Sequence, residues 1–77
     1  MTENIIEMIT DLLVEHFGCN RDEITENTRF ADIWIDSLDI AEMIGEIEDQ
    51  IGYEVELEDH IKTVGELAKT IESCKEA

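Results

Sequence analysis

An apolar side chain recurs every three to four residues in the middle of the chain, which places the whole set on one face of a helix. These residues are Ile40, Ile44, Ile47 and Ile51. A parallel set of carboxylates has the same period and forms a separate face: Asp39, Glu42, Glu46 and Asp49. We therefore predict an amphipathic helix over residues 37–51, ended by Gly52. Such a helix is stable in water only if other helices cover its isoleucines.

Two further segments supply that cover. The first runs from Thr2, a capping residue, to Phe17, with Gly18 at a position where helices commonly end. Its apolar residues at helical spacing are Ile5, Ile9, Leu12, Leu13 and Phe17. The last begins after Thr63, which forms a predicted capping box with Glu66. Its core face comprises Val64, Leu67, Ala68 and Ile71.

The connections between these helices differ in length. Residues 18–36 form a long first loop, which we expect to pack on the core through scattered apolar anchors: Ile24, Phe30, Ile33 and Trp34. The segment Tyr53–Leu57 alternates like a strand, but a single strand cannot satisfy its backbone groups. We predict a loop there, followed by a short helical turn near Glu58 to Ile61. The predicted fold is one all-α domain over residues 1–77, a small bundle of three main helices plus one short helix.

The charge of the chain limits its partners. Asp and Glu number 21 against five Lys and Arg, a formal net charge of −16, and no Lys or Arg occurs between Phe30 and Ile61. Phosphates would repel such a surface, so we expect no nucleic-acid binding. No segment approaches the about 20 apolar residues of a membrane span, and no signal peptide is evident. Two cysteines are too few for a disulfide framework. We expect a cytoplasmic monomer with reduced Cys19 and Cys74, partnered by basic proteins or divalent cations.

Ser37 lies at the start of the acidic helix, within Asp36-Ser37-Leu38-Asp39. One interpretation is structural, because either Asp36 or Ser37 can cap the helix. The other is functional, since a helix N-terminus also favours a phosphate. The two aspartates would repel a free anion, so the functional interpretation is a covalent phosphodiester on Ser37, made by a basic enzyme.

Catalysis by Ser37 itself is not supported. A nucleophilic serine requires a base within hydrogen-bond reach and an oxyanion hole, and the chain has only His16 and His60 and no G-x-S-x-G elbow. A calcium loop beginning at Asp32 would lack both the ligand density and the central glycine. We expect no specific metal site, and at most loose divalent binding along the acidic face.

Taken together, these motifs resemble the acyl carrier proteins over roughly Ile5 to Ile71. The resemblance is carried by Asp36-Ser37-Leu38-Asp39 at the head of an acidic second helix, by Glu23-Ile24-Thr25 and Phe30 in the loop, and by Thr63-Val64-Gly65-Glu66-Leu67. It implies that a phosphopantetheinyl transferase attaches phosphopantetheine to Ser37. The arm would carry acyl groups as thioesters and present them to enzymes of fatty-acid, polyketide or lipid biosynthesis.

The resemblance also implies two further sets of residues, in a carrier that is not itself an enzyme. The docking face for acyl-transferring, condensing or modifying enzymes with basic patches would comprise Asp36, Leu38, Asp39, Glu42, Glu46, Glu48 and Asp49. An acyl chain could be sheltered in an interior lined by Phe30, Met43, Ile44, Ile47, Val55, Ile61 and Ala68. The alternative is an unmodified acidic interaction module that docks on basic proteins.

Departures from the family pattern suggest a specialised carrier. Trp34 stands where the family usually has glycine, which we expect to require ordinary backbone angles at that point. Gly45 occupies a partner-facing position where larger apolar residues are usual, and it weakens the helix by roughly 1 kcal/mol relative to alanine. The segment from Val55 to Val64 also looks shorter than in the family.

Overall fold

The computed structural model describes residues 2–56 and 61–76. It contains three α-helices, α1 (Thr2–Phe17), α2 (Ser37–Ile51) and α3 (Val64–Glu76). Two short 3₁₀ helices, Arg21–Glu23 and Phe30–Ile33, lie in the loop between α1 and α2. The described residues include no β-strand, and the predicted all-α fold with three main helices is confirmed.

The predicted fourth helix falls on a segment that is largely outside the described residues. Of the positions from Glu58 to Ile61, only Ile61 is described, and it is buried and not helical. The segment Tyr53–Leu57, predicted to be a loop rather than a strand, is described up to position 56. Positions 53–56 form no strand, as predicted.

One hydrophobic core joins the three helical stripes. Its fully buried side chains include Ile9 and Leu13 of α1, Ile47 of α2, and Leu67 and Ile71 of α3. Ile40 and Ile44 are 6% exposed, and the ends of the stripes, such as Ile5, Phe17 and Ile51, are half-buried. The apolar faces predicted from periodicity are therefore the faces that pack together.

The helix ends follow local rules. In α3 the Glu66 N–H donates to Thr63 Oγ1 and the Thr63 N–H donates to Glu66 Oε1, both at 3.1 Å, so the predicted capping box is confirmed. Gly18 and Gly52 follow α1 and α2 with positive φ angles of 70° and 80°, a conformation that glycine adopts at little cost. The predicted cap at Thr2 involves a side chain outside those described.

The first loop is joined to the start of α3 by the backbone. Three hydrogen bonds connect them: Phe30 N–H to Lys62 C=O (3.0 Å), Val64 N–H to Thr28 C=O (3.0 Å) and Gly65 N–H to Glu26 C=O (2.8 Å). Two of these occupy amide groups that have no partner inside a helix. A Cβ atom at Gly65 would lie 2.8 Å from the Glu26 oxygen, so glycine permits this close approach.

The predicted anchoring of the loop is correct for three residues and wrong for the fourth. Phe30 is buried, and Ile24 and Ile33 are half-buried against the core. Trp34, by contrast, is 91% exposed. Its place in the core is taken by Ile35, 6% exposed, which the helical periodicity did not identify.

The expectation of ordinary backbone angles at Trp34 is also wrong. Trp34 has φ 62° and ψ 31°, the left-handed conformation. The Ile35 N–H donates to the Phe30 carbonyl at 2.9 Å and the Trp34 N–H to the Ala31 carbonyl at 3.4 Å, which ends the 3₁₀ helix in a Schellman-like turn. This turn brings Ile35 back to the buried Phe30 and directs the intervening residue away from the core, which leaves the indole in solvent.

Candidate functional site

Asp36 caps α2, and Ser37 is its first residue. The Asp39 N–H donates to Asp36 Oδ1 at 2.9 Å, and the Asp36 N–H donates to Asp39 Oδ2 at 3.2 Å. This reciprocal box assigns the capping role to Asp36 rather than Ser37. Ser37 is exposed, and its hydroxyl has no hydrogen-bond partner among the described residues. The hydroxyl is thus available for chemistry from outside.

The surroundings of Ser37 combine a positive helix end with negative side chains. The N–H groups of Ser37 and Leu38 have no partner within the helix, so they present partial positive charge. Asp36 and Asp39 offset that charge. A phosphate linked covalently to the Ser37 oxygen can lie beside these amides, whereas a free anion gains little there.

Bases that could activate Ser37 are remote or outside the described residues. His16, on α1, lies with its Nε2 3.0 Å from Glu46 Oε2. Glu46 is nine positions after Ser37 in α2, about 13 Å along the axis at the rise of an α-helix. His60 is outside the described residues. His16 therefore has a partner at the far end of the acidic face and does not reach the serine.

The predicted docking residues are mostly exposed, and two of them, Asp39 and Glu48, are half-buried. Asp36, Glu42, Glu46 and Asp49 are exposed, Asp39 is half-buried in its capping box, and Leu38 is 75% exposed. Glu48 accepts a hydrogen bond from beyond the helix, from the Val55 N–H at 2.7 Å. The carboxylate of Glu48 therefore holds the turn after α2, a role that helical spacing alone does not indicate.

Apart from the His16 contact with Glu46, the described arginines pair with carboxylates away from this acidic face. Arg21 bonds to Asp11 on α1, and this carboxylate raises the pKa of the guanidinium above its ordinary value. Arg29 lies 3.5 Å from Asp32, an exposed pair in the loop that contributes little to stability. A basic partner surface is the natural complement to the charge that remains.

All seven residues predicted to line an acyl-chain interior belong to the core. Their side chains are between 0% and 8% exposed: Phe30, Met43, Ile44, Ile47, Val55, Ile61 and Ala68. A small cleft of about 50 Å³ is open between α1 and α2, and it shares only Met43 with this set. In this conformation the seven residues pack against the rest of the core, so an acyl chain could enter only if they separated.

A larger cleft, of about 360 Å³, lies beside the first loop. Its wall includes Phe17, Cys19, Ile24, Ile33 and Trp34, with Asn20, Glu23 and Asp32 as polar members. Burial raises the pKa of the Cys19 thiol, which favours its protonated form. Sequence reasoning missed this cleft, since its lining comes from the end of α1 and from two separate turns that share no periodic signal.

The described part of the chain has neither a metal-binding cluster nor a membrane-spanning helix. No group of three or more His, Cys, Asp or Glu side chains in residues 2–56 and 61–76 could hold a metal ion. No helix within the same ranges is both long and apolar enough to cross a membrane. Cys19 and Cys74 are both free thiols, as predicted.

Comparison with known proteins covers almost the whole chain. Residues 7–71 match the family model described as "Phosphopantetheine attachment site". A protein of Lactococcus lactis subsp. cremoris (strain MG1363) named "Acyl carrier protein" is 37% identical over 71 residues, 92% of this chain and 97% of that protein. Proteins of the same name from Streptococcus pyogenes serotype M1 and Streptococcus pneumoniae serotype 4 are each 37% identical over 68 residues, 88% of this chain and 92% of theirs.

Proposed function

The chain belongs to the acyl carrier protein family and carries acyl groups on phosphopantetheine, and from this premise we propose that Ser37 is the attachment residue. The observation that carries the assignment is the division of roles at the start of α2. Asp36 and Asp39 form the cap between them, and the exposed Ser37 hydroxyl is left without a structural role. A serine needed for capping would lose its hydrogen bond on modification, whereas this one loses nothing.

The attachment chemistry requires no catalytic group from the chain. The Ser37 oxygen forms a bond to the phosphorus of the pantetheine phosphate of coenzyme A, and the phosphorus–oxygen bond to adenosine bisphosphate breaks. The hydroxyl proton passes to a base of the transferase, because the nearest described imidazole, His16, is held by Glu46 far along α2. The new phosphodiester lies beside the first amides of α2.

We infer that the exposed face of α2 is where partner enzymes dock. Asp36, Glu42, Glu46 and Asp49 would steer basic surfaces towards Ser37, and Leu38 supplies an apolar contact. The partners proposed are a phosphopantetheinyl transferase and acyl-transferring, condensing or modifying enzymes, which supply the catalysis. Glu48 also lies on α2, with one carboxylate oxygen engaged by the Val55 amide.

The seven interior residues would shelter the acyl chain. This shelter would require a packed region with side chains no more than 8% exposed to open, and dense packing makes such an opening costly.

The attachment residue is tested by intact mass after incubation with coenzyme A and a permissive phosphopantetheinyl transferase. The chain has only two serines, Ser37 and the exposed Ser73 of α3, so Ser73→Ala is a matched control. We expect one arm on the wild type and on Ser73→Ala, and none on Ser37→Ala. An equal gain in Ser37→Ala would contradict the assignment, and no gain on any variant with several transferases would favour an unmodified interaction module.

The docking face is tested by charge reversal at Glu42, with the exposed loop residue Glu54 as the matched control. We expect Glu42→Lys to slow arm transfer by about ten-fold at low salt, since rim charges act mainly on association rates. Glu54→Lys should leave the rate close to that of the wild type. Equal rates for the two variants would exclude the α2 face as the docking surface.

A further inference from the structure

We propose that Trp34 is a recognition residue for the phosphopantetheinyl transferase, and that its indole enters an apolar pocket with a basic rim beside the transferase active site. This inference rests on the proposed attachment at Ser37. It names a specificity-determining contact outside α2, and it gives a role to a side chain that neither the core nor the attachment chemistry uses.

The first observation is that two large apolar side chains are exposed around Ser37. Among residues 2–56 and 61–76, Trp34 and Leu38 are the large hydrophobic residues in solvent, at 91% and 75% exposure. A single exposed apolar side chain is ordinary on a protein surface. Two of them close together, one on each side of the attachment serine, instead indicate a protein contact, in which aromatic side chains are enriched.

The second observation is the backbone of Trp34. It is left-handed, with φ 62° and ψ 31°, which a residue with a Cβ adopts only at a cost in stability. Glycine would form the same turn without that cost. The indole adds little to the core in return, because it stays in solvent while the next residue, Ile35, is buried. A side chain that costs stability and buries almost nothing is expected to serve binding rather than folding.

The position of Trp34 selects the transferase as the partner that must meet it. The transferase brings its active site to the Ser37 oxygen, whereas enzymes that act on the acyl group meet the far end of the arm. The Cα atoms of Trp34 and Ser37 are at most about 11 Å apart, because consecutive Cα atoms are separated by about 3.8 Å. A protein interface covers about 800 Å² on each partner, a disc of about 16 Å radius. A transferase centred on Ser37 therefore reaches the indole.

The charges around Trp34 define the pocket that it fits. Asp32 and Asp36 stand two positions before and after it, both exposed, and no Lys or Arg occurs between Phe30 and Ile61. An arginine pairs with carboxylates and also stacks on an indole. The matching surface on the transferase is therefore an apolar pocket with an arginine at its rim, which contacts the ring and the neighbouring carboxylates together.

The first test measures arm transfer from coenzyme A by the transferase of the organism that makes this chain, with a permissive transferase as the control enzyme. Trp34→Gly removes the indole and keeps the left-handed turn, and Trp34→Phe keeps an aromatic ring. With the first enzyme we expect Trp34→Gly to raise the KM for the carrier about ten-fold at an unchanged kcat, the size of effect that a tryptophan anchor typically gives. Trp34→Phe should recover most of the loss, and the permissive enzyme should show similar KM values for all three chains.

The outcomes separate this proposal from the assignment of Ser37. If Trp34→Gly gains the arm with the KM of the wild type, the indole is not a transferase contact, and the attachment at Ser37 stands. An equal rise of KM with both enzymes would attribute the effect to the carrier itself and would also overturn the proposal. If no chain gains an arm, the wild type included, the proposed function fails, and the recognition proposal fails with it.

A second measurement observes the indole directly. Trp34 is the only tryptophan in the chain, so a chain labelled with 5-fluorotryptophan gives one fluorine resonance. The label is placed in Ser37→Ala, which cannot be modified at that position, and the unlabelled transferase is titrated in while calorimetry measures complex formation. We expect the resonance to shift or broaden in step with the complex. A complex that forms with no change in this resonance would overturn the proposal.

Discussion

Replacing Gly65 with alanine is expected to destabilise the fold, whereas the same replacement at Gly45 is expected to stabilise it. Both glycines lie in α-helices, Gly65 in the first turn of α3 and Gly45 in the middle of α2. Helix propensity alone favours alanine by about 1 kcal/mol at an interior position. The two sites differ in what an added methyl group would touch.

At Gly45 a Cβ atom would have no neighbour within 4 Å, so the gain of about 1 kcal/mol is expected in full. At Gly65 it would lie 2.8 Å from the Glu26 carbonyl oxygen and 3.3 Å from the Glu26 Cβ atom. Because the closer obstacle is backbone, the loop or the helix must move, at a cost of about 1–3 kcal/mol. The movement also weakens the Gly65–Glu26 hydrogen bond, worth about 1 kcal/mol. We expect a net loss of about 1–3 kcal/mol after the gain in helix propensity.

Urea denaturation followed by far-ultraviolet circular dichroism measures both variants against the wild type. In a domain of this size, 1 kcal/mol corresponds to a shift of about 4–8 °C in the melting temperature, so thermal unfolding provides a second readout. Because the two replacements are expected to change the free energy of unfolding in opposite directions, Gly45→Ala serves as an internal control for helix propensity. A Gly65→Ala variant as stable as the wild type, or more so, would refute the close approach of the first loop to α3.

Three further perturbations test the loop, the core and the charge. Trp34→Gly should be more stable than Trp34→Ala by about 1 kcal/mol in urea denaturation, because glycine adopts the left-handed conformation without strain; equal stabilities would argue against that conformation. The free energy of unfolding should fall as the pH rises above about 10, since burial raises the pKa of Tyr53 and favours its neutral form in the folded state. Tyr53→Phe should reduce this loss of stability at alkaline pH. It should also cost about 1 kcal/mol of stability at neutral pH, because the 2.8 Å hydrogen bond to the Ile71 carbonyl is lost. If the pH profile of Tyr53→Phe matched that of the wild type, the loss of stability would belong to other groups. Millimolar magnesium should raise the melting temperature at low salt by screening the acidic surface, and no change would contradict self-repulsion in the folded state.

The helices and their ends could be predicted because the signals for them are local. Helical spacing identified α2, and a capping residue with its partner three positions later identified the start of α3. The same kind of reasoning could not separate Asp36 from Ser37 as the cap of α2. Both residues are good caps, and only the position of the Asp36 carboxylate, 2.9 Å from the Asp39 amide, decides between them.

The loop and the turn after α2 show where local reasoning ends. Glu48 has the spacing of a surface carboxylate, yet it accepts the Val55 amide from a residue beyond the helix. Trp34 has the composition of a core anchor, yet it occupies a left-handed turn that returns Ile35 to Phe30. Both outcomes depend on contacts between residues brought together by the chain path, so no periodic pattern contains them.

The sequence by itself determined the three helices, their apolar faces, the excess of acid and the family, through the motif around Ser37 and the block from Thr63 to Leu67. These properties depend on spacing and on residue type, which need no tertiary contact to be recognised. The tertiary structure alone decided that the Ser37 hydroxyl is free, that Glu48 is occupied, and that Trp34 stands in solvent beside a cleft. Each of these depends on which groups satisfy one another's hydrogen bonds and burial, and that is settled only when separate segments meet.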